Sequence, residues 1–266
     1  GLPLSIPGGG LGVQGAALGT GLAESVAAAI TLWYLFTRSS GLKIKAWRKS
    51  PSLPTPPIVR NSIRISLPMG LEHVVICGAQ IMTTVIVAPL GIPAIAANSF
   101  AITAESLCYM PGYGIADAAT TLVGQSLGAG RHRLTRRFAY ITVFMGMVVM
   151  GIMGVVMYIF APQIIGTMTP VEEIRRLGVM ALRIEAFAEP MFAAAIISYG
   201  VFVGAANTLV PSLMNFFSIW AVRISLAAWL APTMGLKGVW VAMCAELCFR
   251  GIIFLIRLRG KRWMKI

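Results

Sequence analysis

Residues 101–137 read AITAESLCYMPGYGIADAATTLVGQSLGAGRHRLTRR, and they say more about the architecture than any other stretch. Apolar and small residues fill most of it, with Glu105 and Asp117 as its only acids. A run of this kind is long enough to cross a bilayer. Arginines are typical of the loops that flank membrane-spanning helices. The stretch therefore predicts a membrane-spanning helix followed by a basic loop.

Composition extends that prediction to the whole chain of 266 residues. Hydrophobic residues make up 57% and charged residues 12%, against about 25% charged in a soluble domain. The net charge is +13, but the basic residues form short clusters between apolar runs rather than a polar face with interleaved aromatics. These features indicate a membrane protein, and they disfavour both a soluble enzyme and a nucleic-acid partner.

Catalytic and metal-binding motifs are missing from the sequence. The four cysteines lie in apolar runs, and the close pair Cys244 and Cys248 lacks CxxC spacing. His73 and His132 are the only histidines and Asp117 is the only aspartate, so neither an HExxH zinc site nor a paired-aspartate protease is present. No glycine-rich phosphate or dinucleotide motif occurs. We therefore expect no enzymatic activity, no metal and no cofactor.

The apolar runs predict about seven transmembrane helices, which makes the chain an all-α polytopic membrane protein. About 20 apolar residues cross a hydrocarbon core of roughly 30 Å. A basic, proline-rich stretch over 38–62 separates the first helix from the rest. By this measure the helices run over residues 11–37, 65–90, 94–128, 137–161, 177–204, 211–231 and 236–257.

Basic residues between the spans predict the orientation of the chain. Consecutive spans end on alternate sides of the membrane, and sixteen Lys and Arg residues fall on one side against three on the other. The crowded side collects residues 38–64, 131–137 and 257–265. Because basic loops stay in the cytoplasm, we expect a multi-pass plasma-membrane protein whose residues 38–62 and C-terminus are cytoplasmic.

The first and last predicted helices are similar to each other. GVQG at 12–15 opens one much as GLKG at 235–238 opens the other, and Glu24 and Glu246 follow at nearly the same place. If the two helices are equivalent, the last six helices form a complete repeat and the first helix ends an earlier, truncated one. The chain is then a fragment. The alternative is a chance similarity between two helix starts rich in small residues.

Three stretches carry a family resemblance. PGYG at 111–114 leads into VGQSLGAG at 123–130, GAAN at 204–207 follows the fifth helix, and GLKGVW at 235–240 opens the last. Together they closely resemble the multidrug and toxic compound extrusion (MATE) transporters, whose fold has two six-helix lobes facing a central cavity. The resemblance implies that 1–37 is the last helix of the N-terminal lobe, 38–62 the linker and 63–266 the complete C-terminal lobe.

The resemblance also implies a function. MATE transporters are secondary-active antiporters that export lipophilic, often cationic drugs or toxic metabolites by alternating access, driven by protons or sodium ions. The implied partners are an amphipathic small molecule, membrane lipids and the missing N-terminal lobe of the same polypeptide. A flippase or exporter of a lipid-linked or secondary metabolite is one alternative, and a non-transport membrane scaffold is another.

Two departures from the family pattern bear on the coupling ion. Asn207 stands where the family's turn usually has Asp. Ile76 and Phe192 stand at roughly the places where some members have carboxylates that bind a cation. We therefore prefer protons to sodium ions as the coupling ion.

Polar residues inside the spans are candidates for a coupling site, because charge in hydrocarbon is expensive. Glu105 lies about 16 Å from the outer face at about 1.5 Å per residue, near the midplane. Asn98, Tyr109 and Gly112 share its helix face, which is either a cavity wall with a protonatable acid or a helix-packing network. Glu105 is the first candidate for the coupling acid, and the others are Glu189, Glu185 and Glu72.

A second polar stripe contains His73, Cys77, Gln80 and Thr84, and it either lines the cavity or bonds neighbouring helices. Pro111-Gly112 interrupts the third helix and is a candidate hinge, with a static bend as the alternative.

Two ion pairs are predicted within the spans. Arg223 needs a partner because a guanidinium keeps its charge. Its depth matches that of Glu185 on the preceding span, so we predict an Arg223–Glu185 pair, with Glu189 as the competitor. Glu246 and Arg250, at i,i+4 on the last helix, predict a local pair.

Overall fold

The computed structural model describes residues 12–37, 55–260 and 262–264, and their regular secondary structure is helical, as predicted. A π-helical segment, Ser218–Ile224, joins the helices Leu209–Phe217 and Ser225–Met234, and 3-10 turns cover Ala88–Leu90 and Arg262–Met264. The α-helices are α1 (Gly12–Thr37), α2 (Pro56–Val87), α3 (Ile92–Gly128), α4 (His132–Met168), α5 (Glu172–Glu185), α6 (Glu189–Gly204), α7 (Leu209–Phe217), α8 (Ser225–Met234) and α9 (Leu236–Arg259).

The chain divides into two compact units, Gly1–Val59 and Arg60–Ile266. The first contains α1, whose run Ala17–Thr37 has the length and hydropathy of a membrane span. The most apolar window of that run contains no buried residue. A helix that is apolar all round must be covered by lipid or by other helices.

The start of α2 lies inside the predicted linker. Residues 38–54 of that linker lie outside the described residues, but α2 begins at Pro56, so residues 56–62 are helical. Proline is tolerated in the first turn of a helix because the N–H that it lacks would have no intrahelical partner there. The Pro56-Pro57 pair therefore starts the helix earlier than the hydropathy pattern predicted.

Helices cover all seven predicted spans. α3 has 37 residues, but it is not among the helices whose most apolar stretch reaches the hydropathy of a membrane span. α5 and α6 together pass as one span that is bent by 60°. Within the described residues, five further segments are long and apolar enough to cross a membrane: Ala17–Thr37, Pro56–Leu90, His132–Met168, Leu209–Met234 and Leu236–Arg259.

Two of the spans contain irregularities that the hydropathy pattern did not predict. The span predicted over 177–204 breaks at residues 186–188, and the one predicted over 211–231 contains the π-helical segment. Pro190 stands in the first turn of α6, where its missing N–H prevents a regular continuation from α5. A π turn accommodates an extra residue, so side chains on either side of it point in directions that α-helical counting does not give.

Close contacts between small residues build the centre of the second unit. Gly200 and Gly204 of α6 lie against the backbone of Ala116 and Thr120 of α3, and the Thr120 hydroxyl donates to the Gly200 carbonyl at 2.8 Å. Membrane helices commonly pack through such small residues. α2 is much less enclosed, and its buried residues are Glu72, Ala79, Thr83 and Val87.

Candidate functional site

Three glutamates from three different helices are buried inside the second unit. Glu105 comes from α3, Glu185 from the end of α5 and Glu189 from the start of α6. Their relative exposures are 6%, 1% and 1%, so water barely reaches them. We call these three residues the acid cluster.

Among the residues that the structure describes, the acid cluster has no hydrogen-bond partner. Both carboxylate oxygens of Glu185 and both of Glu189 are buried and accept no hydrogen bond from the described residues. Buried polar groups are nearly always paired, because an unpaired one loses its hydration without compensation. Carboxylates left in this condition mark a site with a chemical role or a site filled by water.

Charged neighbours surround the acid cluster. Arg223 and Arg250 are both close enough to act on Glu105 through space. Glu185 interacts electrostatically with four charged residues in the same way: Glu105, Glu189, Glu246 and Arg223. The three acids therefore belong to one electrostatic network, in which a change in the protonation of one changes the energy of the others.

The predicted Arg223–Glu185 ion pair is not formed in the structure. Arg223 lies in the π-helical segment, and its NH2 group contacts the Sδ atom of Met243 on α9. The prediction rested on equal depth along regular α-helices. The π turn and the break after Glu185 both change the directions of the side chains, so equal depth did not produce contact.

The predicted Glu246–Arg250 pair is present on α9. Arg250 Nε lies 3.1 Å from Glu246 Oε1, and NH2 of Arg250 donates to Oε2 at 3.5 Å. The Ser218 hydroxyl also donates to Oε1 at 2.5 Å. The Arg250 guanidinium stands over the Phe192 ring, 5.5 Å from its centroid. Glu246 is thus a partnered acid beside the unpartnered cluster.

Glu72 on α2 is also fully partnered, which separates it from the other coupling candidates. Its Oε2 accepts hydrogen bonds from the hydroxyls of Tyr199 and Ser212, and its Oε1 accepts one from the Asn215 amide, each at 2.5 Å. The donors lie on α6 and α7. Glu72 therefore ties the loosely enclosed α2 to two other helices, and we call this group the Glu72 clamp.

The predicted stripe on α3 faces the interior of the second unit. Asn98 is buried and accepts a hydrogen bond from Trp240 Nε1 at 3.2 Å. Tyr109 packs edge-on against Tyr113 and Phe192, with centroids 5.6 and 5.9 Å apart. The sequence allows two interpretations of the stripe, either a helix-packing network or a cavity wall with a protonatable acid. The stripe contains features of both, because Asn98 and Tyr109 pack against other helices while Glu105 is unpartnered among the described residues.

Gly112 and the second polar stripe have different environments. A side chain at Gly112 would overlap Met150 and Ile196, so this glycine permits close helix packing. The hinge at Pro111-Gly112 stays a prediction.

The second polar stripe lies on the exposed surface of α2. Its residues His73, Cys77, Gln80 and Thr84 are all exposed. They are open to lipid or to another protein surface.

Comparison with known proteins identifies the family. The MatE family model matches residues 68–229. The chain belongs to the MatE family. Members of this family are transporters rather than enzymes, so the match confirms the resemblance read from the sequence and the expectation of a multi-pass membrane protein.

Curated relatives and solved structures agree with this assignment. The chain is 27% identical over 262 residues to the probable multidrug resistance protein NorM of Thermotoga maritima, covering 96% of this chain and 54% of the relative. It superimposes on a MOP superfamily transporter from Pyrococcus furiosus with a TM-score of 0.82 at 19% identity, covering 94% of this chain and 56% of that one.

A Vibrio cholerae MATE transporter, VcmN in the bent form, gives a TM-score of 0.78 at 18% identity, covering 96% of this chain and 56% of that one. These structural likenesses show the fold, which is one lobe of a two-lobe transporter. The chain spans about half the length of the curated relatives that it matches.

Sequence reasoning missed most of the partners just described. Tyr199, Ser212 and Asn215 were not singled out, although they are polar residues in or beside apolar spans and could have been flagged on that ground. Ser218 offered no signal beyond its small polar side chain. Their positions become meaningful when the helices are packed together.

Proposed function

We propose that this chain supplies one lobe of a two-lobe antiporter that exports amphipathic or cationic small molecules, including drugs, in exchange for protons. The other lobe belongs to the same polypeptide. Access to a central cavity alternates between the two sides of the membrane as the lobes move. The names of the relatives, probable multidrug resistance proteins, support the substrate class.

The unpartnered acid cluster is the observation that carries this proposal. An ionised acid at the bilayer midplane costs at least about 2.5 kcal/mol by insertion scales. Glu185 and Glu189 accept no hydrogen bond from the described part of the chain that would offset that cost. A buried acid without hydrogen bonds or an ion pair contributes nothing to the stability of the fold, whereas an acid that takes up and releases protons has a role in transport.

Glu105 remains the first choice for the coupling acid. It shares the network with Glu185, Glu189 and two arginines, and it retains a small exposure of 6% where the other two retain 1%. A proton can therefore reach Glu105 with the smallest movement of the lobe. When Glu105 is protonated, the repulsion between it and the other two acids is removed.

The experiment is export by the full two-lobe protein carrying Glu105→Gln, in cells or vesicles. Gln keeps the shape and hydrogen-bonding capacity while removing titration, so the variant should fold and should lose export driven by a pH gradient. Asp117→Asn is the matched control, because Asp117 lies on the same helix and is exposed. Normal pH-driven export by the Glu105→Gln variant would show that Glu105 has only a structural role. Glu189 would then be the next candidate for the coupling acid.

The coupling ion is tested separately by collapsing the proton and sodium gradients one at a time. Export should stop when the proton gradient is removed and continue when the sodium gradient is removed. Loss of export with the sodium gradient alone would overturn the choice of protons. Unchanged retention of dyes and drugs under every condition would favour a scaffold over a transporter.

The orientation given by the basic residues is part of the proposal. Residues 38–62 and the C-terminus lie on the cytoplasmic side of the plasma membrane. Labelling of single cysteines placed in the α3–α4 turn and in the α4–α5 turn tests it. Reagents that cannot cross the membrane should reach the α4–α5 turn from outside and should not reach the α3–α4 turn.

A further inference from the structure

A basic groove lies between the C-terminal part of α4 and the helix α5. It has a volume of about 400 Å³ and is lined by Pro162 of α4 and by Arg175, Arg176 and Arg183 of α5. Arg175 lies against Gly166 of α4, which offers no side chain to fill the space. We call this feature the α4–α5 groove.

The charge of the groove is incompletely balanced. Glu172, its one acid, pairs with Arg175 at 3.6 Å. Arg176 and Arg183 have no carboxylate within ion-pair distance among the described residues. Both project on the same face of α5, seven residues or two turns apart, so two unpaired guanidinium groups border one opening. Guanidinium groups bind phosphate oxygens in a forked geometry.

An apolar surface continues directly from the basic end of the groove. The Arg183 guanidinium lies over the Tyr158 ring, 5.3 Å from its centroid. Tyr158 packs edge-on against Phe187, with centroids 5.7 Å apart, and Phe187 is 72% exposed. On α4, Val155 and Ile159 add exposed apolar side chains of 60% and 58%. The surface thus changes from cationic to aromatic and then to aliphatic.

We propose that the α4–α5 groove binds an anionic phospholipid, with its phosphate held by Arg176 and Arg183 and an acyl chain lying along Tyr158 and Phe187. A soluble anion uses the arginines and leaves the apolar surface uncovered. A zwitterionic lipid brings its own cation and leaves the arginines uncompensated. The combination of unpaired guanidinium groups with a continuous apolar surface favours the anionic lipid. The guanidinium of Arg183 lies over Tyr158 at the border of the two surfaces, and the long stem of an arginine lets its head extend toward the headgroup layer.

The test measures lipid binding by the full transporter with native mass spectrometry and the thermal midpoint. Phosphatidylglycerol and phosphatidylcholine with identical chains are compared. We expect phosphatidylglycerol to stay bound and to raise the midpoint. The double variant R176Q/R183Q should weaken its binding about tenfold or more, because each basic residue near an anionic lipid contributes about a fivefold gain in affinity.

The control variant is R133Q/R137Q, which removes the same charge from exposed positions at the other end of α4. It should keep the bound lipid. The variant R176K/R183K retains the charge and should keep most of the binding, which separates a lost site from a damaged fold.

Three outcomes would overturn the proposal. The first is equal retention of phosphatidylcholine. The second is an equal loss of binding in R176Q/R183Q and in R133Q/R137Q, which would indicate general attraction between charges. The third is displacement of the lipid by inorganic phosphate at the same concentration, which would indicate a site for a soluble anion.

Discussion

Glu72 and Glu189 are both buried glutamates on membrane helices, yet their surroundings differ in kind. Glu72 accepts three hydrogen bonds from two other helices, whereas Glu189 accepts none from the described residues. Burial alone therefore does not show what an acid does. Three hydrogen-bond donors stabilise the ionised carboxylate, which then holds the helices of the donors together. A buried carboxylate without donors is best stabilised by taking up a proton.

The same contrast separates Glu246 from Glu185. Glu246 faces Arg250 and Ser218, while Glu185 lies in the same electrostatic network without a direct partner among the residues described. Partnered acids are expected to matter for stability, and unpartnered acids for transport. Measurements of unfolding free energy can confirm or break this division.

The largest loss of stability is expected from Glu246→Ala. Removing Glu246 leaves Arg250, itself 8% exposed, without its ion-pair partner inside the protein. Breaking a buried pair from one side costs about 3–5 kcal/mol. Glu172→Ala removes an exposed acid from Arg175 and should cost no more than about 1 kcal/mol. Unfolding of both variants in mixed micelles by SDS titration gives the two values, and equal losses would contradict a structural role for the Glu246 pair.

The next largest loss is expected from Glu72→Ala. This change removes three hydrogen bonds and leaves the donors of Tyr199, Ser212 and Asn215 without their acceptor. A hydrogen bond to a charged group contributes about 1.5–3 kcal/mol, and because the donors can partly find water we expect a loss of about 2–3 kcal/mol in all.

Hydrogen exchange locates that loss. The amides of α2 around Glu72 should exchange faster in the variant, since α2 is held through the Glu72 clamp, and α4 should be unaffected. Ser66→Ala is the control, because Ser66 is exposed on α2 and its hydroxyl donates within its own helix. Uniform acceleration across all helices would show that the clamp is not a local tie.

Local features of this fold could be predicted from sequence, and distant contacts could not. The seven spans follow from runs of apolar residues, and the Glu246–Arg250 pair follows from i,i+4 geometry on a single helix. The donors to Glu72 lie 127 to 143 residues away along the chain. No periodicity within α2 indicates which face of α6 or α7 will meet it.

The failure at Arg223 has a different cause. Its depth was counted with the rise of a regular α-helix, but a π-helical segment occupies Ser218–Ile224. No proline or glycine lies within that segment to signal the irregularity. The break between α5 and α6 had a signal in Pro190, which hydropathy averaging over the span concealed.

A small effect on stability is expected from Glu185→Gln and Glu189→Gln. Neither change removes a hydrogen bond within the described ranges of the chain, and each replaces an ionisable group by a neutral group of the same shape. We expect changes of unfolding free energy within about 1 kcal/mol, because large effects come from lost partners or cavities. Pairing this measurement with pH-driven export by the full transporter completes the comparison. A loss near that of Glu246→Ala would show that these acids have structural partners after all.

The smallest expected effect is the coupling between Arg223 and Glu185. Arg223 contacts Met243 rather than an acid, and it is half-buried, so its charged head retains access to its surroundings. A double-mutant cycle of Arg223→Met and Glu185→Gln should give a coupling energy below about 0.5 kcal/mol, the level expected of residues without direct contact. The cycle of Arg250→Met and Glu246→Gln serves as the reference, and contact between the two side chains should give about 0.5–3 kcal/mol there. A coupling energy between Arg223 and Glu185 as large as the reference would show that these two residues form an ion pair. Glu185 would then be a partnered, structural acid, and Glu105 and Glu189 would be left as candidates for the coupling acid.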